Sequence, residues 1–486
     1  MPSIAAQNDS TALDRGTMIV AAVVLLGAIM SILDTTVINV AIDRLALEFD
    51  ASLTTIQWVA TGYTLALAGV IPLTGWAADR FGTKRLYLAS LALFMLGSAL
   101  CAVAWSAGSL IAFRVLQGLG GGMIMPLVMT ILTRKAGPER LGRVMGLLGV
   151  PMLAAPILGP ILGGWLVDDV SWRWIFLINL PIGVLAIALA AVVLERDEPQ
   201  PAHKLDLLGM ALLSPGLTAL IFGLAESSNG GFGATKSWLP IVAGGALIAA
   251  FLRHGREAED PLIDVRTFTR TAAGPAAATL MLFAIAFFGS LLLIPLYYQT
   301  VRGASAMEAG LLMAPLGLGS MITMPVAGKL TDLYGPSRWP AYGIPLLVIG
   351  LAPLCFVDAD TSYVLLCAFS FVLGLGMGLA MMPTMTAAMQ AVPKAAIART
   401  STAMNILRQS GASIGTAILT VVLSAAIDDG HSRAPAALAE AFAQTFRWGL
   451  ALLALALVPA LAMALRGRRV AGGGPIPAER SALASE

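Results

Sequence analysis

Fourteen apolar runs, each close to the ~20 residues a helix needs to cross ~30 Å of hydrocarbon, follow one another along the chain. They cover residues 17–41, 56–77, 86–105, 109–132, 143–167, 174–194, 206–225, 237–252, 272–294, 308–331, 340–357, 361–390, 404–427 and 444–465. None shows the ~10-residue alternation of a barrel strand. A backbone in hydrocarbon must satisfy its own hydrogen bonds, so such runs are helices packed on one another. The 12% share of charged residues, against roughly 25% in soluble domains, agrees, and the fold class is an all-α polytopic membrane protein. The first run follows a polar stretch with a single basic residue, Arg15, and lacks a small-x-small cleavage pattern. It is expected to be a retained helix and not a signal peptide.

With alternate loops on opposite sides, 23 of the 30 Lys and Arg fall on one side. Six fall on the other (Arg44, Arg173, Lys236, Arg302, Arg433 and Arg447), and Arg114 stands inside a run. By the positive-inside rule both termini are expected in the cytoplasm, with the chain in the cell's inner (plasma) membrane. Because topology distributes the basic residues, the net charge of +2 gives no reason to expect nucleic acid as a partner. Cys101, Cys355 and Cys367 lie in apolar runs without paired spacing, so no disulfide or metal framework is expected. No phosphate-cradling loop or other cofactor motif is present.

The chain is duplicated. GWAADRFGTKR (75–85) returns as GKLTDLYGPSR (328–338), keeping the spacing of Gly75, Asp79 and Gly82 in Gly328, Asp332 and Gly335. Gly118, Gly120 and Gly122 before Met125 and Pro126 are matched by Gly374, Gly376 and Gly378 before Met382 and Pro383. The loops that follow begin at Pro138 and Pro393 and carry Arg143 and Arg399. Duplicated halves joined by short turns are a transporter construction. The expected units are a six-helix bundle in 1–200, two inserted helices with polar linkers in 201–270, a second six-helix bundle in 271–466 and a disordered tail in 467–486.

Asp34 is the one carboxylate clearly inside a run. A charge in hydrocarbon costs several kcal/mol, so such an acid faces a cavity or spends time protonated, and one that alternates between these settings binds and releases protons. The alternative is a helix-end residue hydrated at the outer surface. Arg114, with Gln117 on the same face, keeps its charge and can serve as the fixed partner of a moving carboxylate, or as a strut on a backbone carbonyl. The second half has Ser370 or Phe371 at the matching place, so proton coupling is expected in the first half alone. No histidine falls in a run.

Span five reads GLLGVPMLAAPILGPILGGW (146–165). Proline removes backbone donors and glycine allows close approach, so Gly146, Pro156, Gly159, Pro160, Gly163 and Gly164 are read as a bent, tightly docked hinge. In the first charged loop, Asp79 can cap a neighbouring helix or pair with an arginine across the half, with Arg80, Lys84 and Arg85 beside it. Gly75, Gly82 and these charges then form a gating switch. Met381, Met385 and Met389 share one helical stripe, and with Trp58, Tyr63, Gln117, Tyr297, Tyr298 and Gln299 they are candidates to line an adaptable apolar cavity. Plain packing is the alternative.

Together GWAADRFGTKR, LDTTVINVAI, LIAFRVLQGLGGG, the span-five segment, WRWIFLINLPIG, PLYYQTVRGASAMEAGLLMAP and NILRQSGASIGTA resemble the major facilitator superfamily. Within it they resemble the fourteen-helix drug:proton antiporter branch of QacA/EmrB-like exporters. That resemblance implies two pseudo-symmetric six-helix bundles around a cavity, two extra helices, and alternating access. It further implies proton-coupled efflux of lipophilic or cationic drugs and dyes, with membrane lipids and protons as partners, and a monomer; a non-transporting membrane sensor or enzyme is disfavoured, since the sequence shows no soluble catalytic domain and no His/Cys cluster. Export of an endogenous lipid or secondary metabolite, with drug export incidental, is the alternative within the same fold.

Overall fold

Lipid tails are as apolar as leucine, so van der Waals contact at small residues decides which helices touch in a membrane. In the computed structural model, which describes residues 14–137, 140–146, 159, 162–195, 204–429 and 434–472, glycines make that choice. The first half consists of α1 (Arg15–Glu48), α2 (Leu53–Phe81), α3 (Thr83–Ala102), α4 (Ala107–Ala136) and α5 (Trp174–Val193). The inserted pair is α6 (Leu207–Gly230) and α7 (Thr235–Glu257), followed by the short α8 (Val265–Arg270). The second half holds α9 (Ala273–Thr300), α10 (Ala306–Tyr334), α11 (Pro340–Leu351), α12 (Tyr363–Gln390), α13 (Ile397–Asp429) and α14 (Pro435–Gly472).

Among the described residues, 13 helices are long and apolar enough to cross a membrane. They match all the expected spans except 143–167, most of which falls outside the described residues. The last helix runs on to Gly472, through the first residues of the segment expected as a tail.

The duplication is visible atom by atom. A Cβ on Gly118 or Gly122 would stand 2.5 Å from the Tyr63 carbonyl oxygen and 2.7 Å from that of Leu67, both on α2, and one on Gly120 would stand 2.5 Å from the Phe94 nitrogen on α3. In the second half a Cβ on Gly374 or Gly378 would run into α10, at 2.0 Å from the Leu316 oxygen and 2.1 Å from Thr323, while one on Gly376 would meet the Leu347 nitrogen of α11 at 2.6 Å. Helices α2, α3 and α4 therefore correspond to α10, α11 and α12. The repeated loops end α2 and α10 at Gly82 (φ +88°) and Gly335 (φ +81°), a left-handed turn that favours glycine.

The inserted helices pack on each other at Gly223, whose Cβ would lie 2.6 Å from the Ser237 oxygen, and at Gly244, 2.6 Å from that of Gly216. Helix α6 then lies against both halves, on α2 and α13, in a cluster that joins Ile71, Leu213, Leu217, Ala403 and Ile406. His254, expected in a linker, occupies the last turn of α7 and its Nε2 meets Asp206 Oδ1 at 2.8 Å. Burial pushes the Asp206 carboxyl up, but hydrogen bonds from Gly209 N, His254 and Leu262 N outweigh it and hold the group below its ordinary range.

Gly374→Ala is expected to lower the thermal midpoint of the detergent-purified protein, since the added methyl meets backbone and overpacking costs about 1–3 kcal/mol. Gly245→Ala, where nothing lies within 4 Å, is expected to leave the midpoint unchanged or raise it slightly, since alanine suits a helix interior better than glycine. Tryptophan-fluorescence melting of the two variants checks the contrast.

Candidate functional site

Four helices converge on one carboxylate. Asp34 on α1 accepts Arg114 Nη1 at 2.6 Å through Oδ2; its Oδ1 accepts Gln117 Nε2 at 2.9 Å and Asn179 Nδ2 at 3.0 Å. Arg114 and Gln117 stand one turn apart on α4, Asn179 comes from α5, and Asn179 also reaches Ser98 Oγ on α3 at 3.1 Å. Every partner of the carboxylate donates, which is the arrangement an ionised acid takes. Arg114 is held in turn by Gln117 Oε1 at 2.7 Å and by the Val59 carbonyl at 3.2 Å, and its guanidinium lies 4.2 Å from the Tyr63 ring centroid. Arg114, Gln117, Asn179 and Ser98 are wholly buried, and Asp34 is 3% exposed. The acid thus faces protein and not the outer surface.

The expected residues separate here. Asp34, Arg114, Gln117 and Tyr63 come together. Trp58 is half-exposed and stacks on Phe222 of the inserted pair. Tyr297 donates its hydroxyl to the Asp358 carbonyl, Gln299 is exposed, and Met381 and Met385 are buried. Asn179 and Ser98 escaped the sequence reading, although a carboxamide inside the apolar run WRWIFLINLPIG was a legible signal.

The two repeated loops form the second constellation, and they divide the two roles foreseen for Asp79 between them. Asp79 pairs with Arg134 Nη2 at 3.0 Å in its own half and with Arg399 Nε at 3.6 Å in the other. Its counterpart Asp332 caps the helix turn of the opposite half, accepting Gly142 N at 2.7 Å and Arg143 N at 3.2 Å. Arg143 and Arg399, matched in the repeat, are therefore gripped by the two loops in different ways. Gly75 and Gly328 make this possible, since a Cβ on either would lie 3.0 Å from the Cα of Arg399 or Arg143 respectively. Lys84 Nζ donates to the Ala191 and Leu194 carbonyls at the end of α5, and Arg80 and Arg85 are exposed.

Of the hinge residues, Pro156 and Pro160 lie outside the described residues. A Cβ on Gly146 would stand 2.7 Å from the Met324 carbonyl oxygen of the second half; Gly159 and Gly163 press on Thr36 and Val37 of α1, and Gly164 meets nothing within 4 Å. Ser401 Oγ donates to the Pro126 carbonyl at 3.0 Å. The ion pair and the helix-cap bonds between the halves lie at the loop-bearing end.

Residues 24–416 match the family model of the Major Facilitator Superfamily. The chain is 46% identical over 416 residues to a multidrug resistance protein B homolog of Mycobacterium tuberculosis, covering 85% of this chain and 77% of that one. It is 32% identical to the multidrug export protein EmrB of Haemophilus influenzae, covering 81% and 78%. Among solved structures it superposes on the human organic anion transporter MFSD10 with a TM-score of 0.63 over 90% of this chain and 99% of that one, at 16% identity, which speaks to the fold alone.

Removing one member of a buried ion pair costs about 3–5 kcal/mol because the other charge is stranded. Asp34→Asn and Arg114→Gln are each expected to lower the thermal midpoint markedly, and the double variant to lose less than the sum. A double-mutant cycle by thermal melting at neutral pH measures the coupling; additive losses would contradict the pairing.

Proposed function

Since the chain belongs to the Major Facilitator Superfamily, in its multidrug-resistance, EmrB-like branch, we propose that Asp34 is the group through which proton entry drives its export of lipophilic small molecules. The protein is a proton-coupled exporter and not an enzyme. The observation that carries the role of Asp34 is its burial against Arg114, Gln117 and Asn179. A proton on Asp34 would strand a buried guanidinium that cannot neutralise itself, and a rearrangement of the helices around α1, α4 and α5 would relieve that state.

Residues 1–200 and 271–466 are the two rocking units, and 201–270 is the inserted pair between them. By the positive-inside rule the loop-bearing end and both termini face the cytoplasm, with the protein in the inner membrane as a monomer among lipids. The contacts of Asp79 and Asp332 then hold the inner gate shut, and the cargo leaves at the opposite end. In the cycle, substrate enters from the cytoplasm or inner leaflet while Asp34 is ionised, protonation from outside displaces it outward, and the proton leaves inside. At ~150 mV one inward proton supplies ~3.5 kcal/mol, enough to sustain a gradient of roughly 300-fold for a neutral cargo.

In inside-out vesicles given an imposed pH step, Asp34→Asn is expected to abolish proton-driven uptake of a lipophilic dye while the protein stays in the membrane. Undiminished uptake would remove Asp34 from the mechanism. Asp79→Asn is expected to slow turnover and leave equilibrium dye binding intact, which loss of binding in that variant would contradict.

A further inference from the structure

A second arginine lies inside the membrane, and among the described residues it has no counter-charge. Arg408, counted in the sequence with the loop-side cations, is the twelfth residue of the 33-residue α13, within the span Lys394–Ile427. Its Nε is sealed from solvent and makes no hydrogen bond. Neither Nη nitrogen bonds an acceptor among the described residues, and both keep some exposure. One turn back, the Asn405 amide donates to the Ser401 carbonyl while its own Oδ1 is buried and unbonded, a neutral acceptor that does not offset a full charge. Arg114 has Asp34; among the described residues Arg408 has nothing equivalent.

Its direction follows from the helix. Ser401, Arg408 and Gly415 share one stripe at heptad spacing, about 10 Å apart along the axis. Ser401 touches the Pro126 carbonyl of α4 in the first half, and Gly415 is pressed on Ile285 of α9 in the second. Arg408 stands between them, where the stripe passes from contact with the opposite half to contact with its own. It therefore stands where α13 passes from one half to the other, on the helix that packs against α2 and α4.

An arginine cannot shed its proton to escape an apolar site, and an unmatched charge there costs several kcal/mol. We infer that the missing partner arrives with the cargo: Arg408 is an anion subsite between the halves, and the molecules it serves are lipophilic acids bearing a carboxylate, sulfonate or phosphate. This rests on the exporter reading above and narrows its substrate class away from cationic dyes. An interior-negative potential assists the outward passage of such anions, and a guanidinium fork matches their oxygens in pairs.

Three probes with one hydrophobe and different charge separate the cases: 1-pyrenebutyrate, 1-pyrenebutanol and 1-pyrenebutyl-trimethylammonium. Equilibrium dialysis against protein-loaded and empty nanodiscs, with no proton gradient, measures their binding. The wild type is expected to hold the butyrate about tenfold or more tighter than the alcohol, the worth of one charge-assisted hydrogen bond, and to bind the cation weakest. Arg408→Gln is expected to erase that preference, and Arg408→Lys to keep most of it. Equal binding of the three probes by the wild type, or a preference that survives Arg408→Gln, would overturn the assignment. The wild-type order needs no variant to fold. A butyrate preference without pH-driven flux would leave the subsite standing and remove proton coupling; pH-driven flux without the preference would do the reverse.

Discussion

One buried ion pair sets the terms for the first half. Asp34 and Arg114 meet at 2.6 Å with no solvent around them, and neither is affordable in hydrocarbon without the other. Gln117 and Asn179 donate to the carboxylate, and the Val59 carbonyl and the Tyr63 ring hold the guanidinium, whose Nη2 is buried without a hydrogen bond. Because these groups come from α1, α2, α4 and α5, a change of charge at one oxygen acts on four helices at once. Buried pairs are weak sources of stability but sharp reporters of protonation, and that sharpness suits a coupling device.

The glycine ladders supply the complementary rigidity. They lock α2 and α3 to α4, and α10 and α11 to α12, at backbone contact. Between the halves α13 packs on α2 and α4, and the polar contacts concentrate at the repeated loops, where an ion pair on one side answers a helix cap on the other. The linker after the inserted pair joins in, since Arg399 Nη1 also reaches Asp260 at 3.2 Å and the Pro261 carbonyl at 3.1 Å. One side chain thereby ties the loop of the first half, the helix of the second and the inserted pair together.

Much of this was legible in the residues. Apolar runs located the helices because hydrocarbon leaves the backbone no other choice, and the repeated Gly–Asp–Gly spacing exposed the duplication because left-handed turns and close approach admit few substitutes. Asp34 and Arg114 stood out as charges where none is cheap. Their mutual contact, eighty residues apart, was not written in any local pattern. Asn179, a carboxamide inside an apolar run, was legible and passed over, while Ser98 is polar but neutral and nothing local distinguishes it from serines that bond their own helix. Arg408 was missed for another reason: it lies inside the run 404–427, as its fifth residue, yet the topology count took it for a loop charge. The inserted pair reads in sequence as an appendage, while its bridging of α2 and α13 depends on packing alone.

The central claim is that Asp34 takes up and releases a proton while buried against Arg114. Infrared difference spectra of the reconstituted protein across an acid-to-neutral pH step, compared between wild type and Asp34→Asn, test it most directly. A carbonyl stretch of a protonated carboxyl that appears on acidification in the wild type and is missing from the variant is the predicted result. Identical difference spectra in the two proteins would contradict it.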